Sequence, residues 1–169
     1  MGFINQNRGL TIAETGYSYL SEGAYGVIFA DRTVGSIIKL YKRRPEENHV
    51  RSVFKAEIDA YDVAASSEEV SRLIPGNFQL FTLDHVTDKQ VNDVTDEIFP
   101  DLAFKTDFVE GHFHKIGVID SVEALRVRRL FMEAGIHHTI DMSVTIGSEG
   151  SILKAVDFAK EEHELMHGE

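Results

Sequence analysis

The chain has 169 residues, with 17 Lys+Arg against 28 Asp+Glu, a formal net charge of −11. That acidity argues against a broad nucleic-acid surface, because a phosphate backbone would be repelled. The chain has no cysteine, which excludes disulfides, thiolate zinc sites and cysteine nucleophiles together. Hydrophobic residues make up 43%, enough for a buried core, yet no apolar run approaches the roughly 20 residues that span a bilayer. Met1 to Thr15 is too polar for a signal peptide, so the expected compartment is the cytoplasm.

Residues 18–42 read as strands around turns. Ser21-Glu22-Gly23-Ala24-Tyr25-Gly26 is rich in turn formers and leads into the apolar strand Val27 to Ala30. Asp31 to Gly35 makes a hairpin connection, and in the strand Ser36 to Tyr41 the period of two places Ile37, Lys39 and Tyr41 on one face. Residues 46–66 predict a helix whose apolar stripe is Val50, Phe54, Ile58, Tyr61 and Ala65, with Glu57 on or beside it. Ile74 to Asn77 is a turn and Phe78 to Phe81 a strand. The acidic stretch from Asp84 to Asp101 reads as loop with local helix, either a solvated insertion or a docking surface for a basic partner. Leu102 to Val109 is a further strand.

Ser121 to Ala134 predicts a helix, with Ser121 as N-cap, Gly135 just past its end, and Val127, Leu130, Phe131 and Ala134 facing the core. Strands Met142 to Ile146 and Ile152 to Val156 flank the four-residue loop Gly147 to Gly150. The tail from Lys160 to Glu169 reads as a helical or frayed end. This order predicts an α+β fold with an antiparallel sheet in the first half.

Two charged residues stand out because both fall on apolar faces. Lys39 sits between Ile37 and Tyr41, and Glu57 lies by the helix stripe. They could neutralise each other, or each could reach water from the edge of its element. A glycine turn, a strand lysine and a helix glutamate then follow one another in sequence. Glycines in such a turn let backbone N–H groups approach a phosphate. His112, His114, His137 and His138 suggest a metal site less strongly, since no local spacing fixes a third ligand.

That series resembles the protein-kinase fold, and most of all its small bacterial effector forms and phage-encoded kinase-like proteins. Ser21, Gly23, Gly26 and Ile28 take the positions of the glycine-rich loop, Ser36-Ile37-Ile38-Lys39 those of the lysine strand, and Glu57 that of the helix acid. Asp107-Phe108-Val109-Glu110-Gly111 resembles the hinge, and Val156-Asp157-Phe158-Ala159 resembles the Asp-Phe-Gly segment with Ala for Gly. The resemblance implies an antiparallel-sheet N-lobe over residues 1–110 and a reduced C-lobe over 111–169. It implies ATP and Mg²⁺ as cofactors. Ser21, Gly23, Ala24, Tyr25 and Gly26 would cover the phosphates, and Lys39 would contact them while paired with Glu57. The hinge backbone at Glu110 and Gly111 would hold the adenine, and Asp157 would hold the metal. The implied activity is serine/threonine phosphotransfer to a protein partner, with no nucleic acid or membrane involved.

The sequence departs from that pattern between Gly135 and Asp157. With His137 on the motif histidine, Thr139 stands where the catalytic aspartate belongs and Val144 where the second metal ligand belongs. With Asp141 as the base, the loop is shortened and no asparagine remains. The alternative is therefore a pseudokinase, a kinase-shaped interaction or inhibitor module. Only ten residues follow Ala159, too few for a peptide-binding lobe.

Overall fold

The computed structural model describes residues 11–12, 16–82, 86–87 and 93–159. The expected readings of Met1 to Thr15, of Asp84 and Asp88, and of the tail from Lys160 lie wholly or mostly outside them. Among the described residues there are ten strands, β1 (Thr11–Ile12), β2 (Ser18–Glu22), β3 (Gly26–Asp31), β4 (Ser36–Lys42), β5 (Gln79–Leu80), β6 (Val86–Thr87), β7 (Ile98–Asp107), β8 (Phe113–Lys115), β9 (Ser143–Ile146) and β10 (Ile152–Val156). Three α-helices accompany them, α1 (Glu47–Ala65), α2 (Glu68–Ser71) and α3 (Val122–Ala134), with short 3-10 turns at Thr95–Glu97 and Ile116–Val118. The fold is α+β, and every paired strand is antiparallel. No helix among the described residues is long and apolar enough to cross a membrane.

The chain forms two compact units. One comprises Met1–Phe54 and Asn77–Phe108, the other Lys55–Gly76 and Val109–Glu169. The third crossing, after Phe108, falls two residues before the lobe division read from the sequence. The stretch from Lys55 to Gly76 groups with the second unit.

The first unit is built on a sheet of order β5-β7-β4-β3-β2-β1-β6. Alternation along β3 and β4 sends Val27, Phe29, Ile38 and Leu40 to one face, where they form a core with Tyr17, Val86, Val94, Ile98 and Ala103. The opposite face carries the row Ile28, Lys39 and Phe104, which lie directly across from one another. Strand β7 begins at Ile98, four residues earlier than expected, inside what reads as an acidic loop. Pairing passes from Leu40–Ala103 to Tyr41–Phe99, so Pro100, Asp101 and Leu102 bulge out of register. A bulge is where a strand tolerates proline, which has no N–H for the ladder. The buried Ile98 and Phe99 outweigh the acidic neighbours, and Arg51 donates to the Asp101 carboxylate at 2.9 Å.

In the second unit a sheet of order β10-β9-β8 packs with α3 and the second half of α1. Ala124, Val127 and Phe131 are the fully buried residues of α3, and Leu130 and Ala134 pack at the margin. Ser121 caps the helix by accepting from the Ala124 N–H at 3.1 Å, and Gly135 ends it in the left-handed region at φ 106°. Both positions were legible from sequence. On α1 the buried residues are Val50, Val53 and Ala64, whereas Ala65, expected on the stripe, is exposed. The helix turns Ala60, Tyr61 and Ala64 toward the second core, and Ala65 follows one position round the helix. Residues 72–74 are stitched to β10. The Ala155 N–H donates to Leu73 O at 2.6 Å, and Lys154 Nζ donates to the Arg72 and Ile74 carbonyls.

Gly135→Ala should lower unfolding free energy by roughly 1 kcal/mol, because the left-handed C-cap strains any Cβ. Ser121→Ala should cost about 1 kcal/mol through the lost cap. Urea denaturation of the two variants and their double mutant measures both, and the two costs should nearly add because the sites lie at opposite helix ends.

Candidate functional site

The glycine turn joins β2 to β3. The Gly23 N–H donates to Gly26 O at 2.9 Å, closing it. Gly26 is dictated by packing: a Cβ there would lie 2.5 Å from Lys39 Cε. The stem of Lys39 thus runs across the glycine, and its ammonium stands 5.3 Å from the Tyr41 ring centre, within reach of a cation–π attraction. The turn and the lysine assigned to one site from sequence are in contact within the first unit.

Two residues outside the sequence-predicted site, Lys42 and Arg44, hold this turn. Lys42 is buried, forms an ion pair with Glu22, and donates to Gly23 O at 2.7 Å. Arg44 donates to Ala24 O at 2.9 Å. The Lys42-Arg43-Arg44 run at the strand end was the available signal, since three adjacent cations in an acidic chain need acceptors. Tyr25 is buried, with His49 edge-on to its ring at 5.0 Å and the Arg44 guanidinium 4.7 Å above it. Ser21 follows a β-bulge and is exposed. At the other end of the unit the Phe108 N–H donates to Gly35 O at 2.8 Å. Beyond it Glu110 and Gly111 are exposed, with Gly111 in the left-handed region at φ 118°.

In the second unit the β9–β10 register pairs Ser143 with Val156. This places Asp141, two residues before Ser143, and Asp157, one after Val156, at the same end of the hairpin. Asp157 is exposed and holds φ 58°, a left-handed conformation rare outside glycine although tolerated by aspartate. Next to it Phe158 is buried, its ring 5.0 Å from Tyr61 and 5.7 Å from Phe131. Tyr61 stands one helical turn after Glu57. Burial, then the Glu57 charge, then the Asp157 charge hold its hydroxyl well above the usual tyrosine range. The two carboxylates therefore act on one phenol.

Asp141 is an exposed turn residue whose carbonyl accepts from Lys115 Nζ at 2.8 Å. Thr139 is buried and its hydroxyl accepts from Arg128 Nε at 3.2 Å. Of the two residues considered for the base, only Asp141 has a carboxylate open to solvent. His112, His114 and His137 are exposed, and no group of three His, Asp or Glu placed to hold a metal occurs among the described residues.

Lys39 lies in the first unit, and Glu57, Asp141 and Asp157 lie in the second. No known protein-family model matches this chain, and no curated protein matches it either.

A group whose folded pKa is raised contributes stability that is present below its unfolded pKa, near 10 for tyrosine, and lost as pH rises through the folded value. Tyr61 is one such group and Tyr19 another, the latter raised by burial and its bond to Glu22. Unfolding free energy should therefore fall as pH climbs above about 10, and Tyr61→Phe should flatten part of that fall. Denaturant titrations across the alkaline range test it; an unchanged slope in Tyr61→Phe would count against the placement of Tyr61.

Proposed function

We propose that this chain is a minimal kinase-like protein that binds ATP with Mg²⁺ and phosphorylates a protein partner, with the cytoplasm as its compartment, its own cell's or a host's. The observation that carries the reading is the contact of Gly26 with the Lys39 stem. It joins a phosphate-approaching turn to a cation, the two elements that such a site needs first. The left-handed Asp157 beside a buried Phe158, sharing the Tyr61 phenol with Glu57, supports it from the second unit.

In this reading Lys39 meets the α- and β-phosphates, while backbone N–H groups from Ser21 to Gly26 lie over the phosphates. The adenine takes the backbone at Glu110 and Gly111. Asp157 holds Mg²⁺, which supplies positive charge against the phosphate oxygens when bound. A hydroxyl of the partner attacks the γ-phosphorus, its bond to the ADP oxygen breaks, and Asp141 takes the hydroxyl proton.

A second reading, the pseudokinase, is favoured by Thr139. A buried hydroxyl already holding an arginine offers no base, which leaves the whole proton transfer to Asp141. The two readings share nucleotide binding and divide on transfer.

Nucleotide binding and autophosphorylation, measured with Mg²⁺ or Mn²⁺, separate them. The wild type should bind ATP, and Lys39→Ala should weaken that binding by about tenfold or more, since a charge-assisted contact is lost. Asp141→Asn should abolish transfer and leave binding intact. A wild type that binds no nucleotide ends both readings. Binding without transfer to itself or to any partner leaves the pseudokinase.

A further inference from the structure

The turn that presents Asp141 is fastened along one side to the residues around the 3-10 turn at Ile116–Val118. The Ile116 N–H donates to Met142 O at 2.8 Å, and the Gly117 N–H donates to Ile140 O at 3.1 Å. Lys115 Nζ donates to Asp141 O at 2.8 Å. Gly117 permits this closeness: a Cβ on it would lie 2.6 Å from Ile140 O and 2.7 Å from Ile140 Cγ1. The Ile140 side chain therefore lies against bare backbone, with Val118 the next residue along. All of these residues belong to the second unit.

Ile116 and Met142 go into the core, but Ile140 is 59% exposed and Val118 82%. A lone exposed apolar residue is ordinary. These two instead stand on one hydrogen-bonded pair of segments, and Ile140 adjoins the carboxylate that takes the proton in the reading above. That reading also says what comes over Asp141, namely the segment of the partner that carries the hydroxyl. Adjacent Cα atoms lie about 3.8 Å apart, and an extended chain advances about 3.3 Å per residue. A residue one or two positions from the phosphoacceptor thus comes within reach of Ile140.

We infer that Ile140 and Val118 select the phosphoacceptor. The partner presents a serine or threonine with a large aliphatic residue within two positions of it, and that side chain packs on Ile140 and Val118 while the hydroxyl faces Asp141. The inference rests on the kinase-like reading and adds a substrate class to it. The chemistry is unchanged: the acceptor oxygen bonds to the γ-phosphorus, the bond from that phosphorus to the ADP oxygen breaks, and the hydroxyl proton passes to Asp141. The apolar contact holds the hydroxyl in place for that transfer.

The test uses the full chain, Mg²⁺ and ATP labelled on its γ-phosphate, with short serine peptides in an alanine–glycine background. One set carries leucine one or two positions to either side of the serine, and a second carries alanine there. The wild type should use the best leucine peptide with kcat/KM about tenfold or more above its alanine counterpart. Ile140→Ser and Val118→Ser combined should bring that ratio near one, whereas a merely structural role would lower both peptides alike. Both positions are exposed, so the urea midpoint and ATP binding should match the wild type. Should the combined variant fail to fold, Val118→Thr, which keeps the side chain's shape, takes its place and should lower the ratio. Equal use of leucine and alanine peptides overturns the inference, as does a leucine preference that survives the substitutions. So does a chain that labels itself but no peptide. In those three outcomes phosphotransfer stands and only the selectivity falls. A chain that transfers phosphate to nothing ends the transferase reading and this inference with it.

Discussion

The second unit depends on the seating of one aromatic ring. Phe158 lies against Tyr61 on α1 and Phe131 on α3, and it stands two residues past the end of β10. Three elements distant in sequence therefore meet on a single side chain. Burying such a ring stabilises by about 1.5–3 kcal/mol, and removing one from a packed core costs about 3–5 kcal/mol once the cavity is included. That is enough to hold the preceding residue in a conformation worth roughly 1–3 kcal/mol of strain. Asp157 at φ 58° is the consequence: the chain must reverse so that Phe158 goes in and the carboxylate stays out.

The first unit has an analogous dependence on Gly26. Antiparallel register sets Gly26 opposite Tyr41 and Ile28 opposite Lys39, so the lysine stem must pass over the β3 backbone. A side chain at 26 would occupy that path. The core on the other face, from Val27 to Ala103, fixes the register, because a slip by one residue would turn Ile38 and Leu40 outward and Lys39 inward. Hydrophobic alternation on the buried face thus places the cation on the other one. Lys42 and Arg44 then fasten the turn through its carbonyls, so its conformation is held by side chains as well as by its own hydrogen bond.

How legible all this was depended on the range of the interactions. The ends of α3 could be read directly, since a capping serine and a left-handed glycine act within a few residues. The hairpin after Asp141 was legible for the same reason, as was the α+β class. What escaped was set from a distance. The start of β7 at Ile98 depends on β4 accepting a bulge at Pro100, and no local pattern announces that. Strand β8 is three exposed residues whose identity as a strand comes only from pairing with β9. Ala65 misses the buried side of α1 because Tyr61 and Ala64 are claimed by Phe158 and its neighbours. The site residues follow the same rule. The Gly26–Lys39 contact lies one hairpin apart and could be anticipated. The part played by Lys42 and Arg44 required knowing where the turn's carbonyls point.

Thr139 is held from a neighbouring helix rather than by its own loop alone. Arg128 donates to the Thr139 hydroxyl at 3.2 Å, which ties α3 to the loop that follows it. A carboxylate there would still be paired by Arg128, but it would be buried with that charge and withdrawn from a substrate hydroxyl. Asp141 escapes this because the turn at residues 140–141 leaves it exposed.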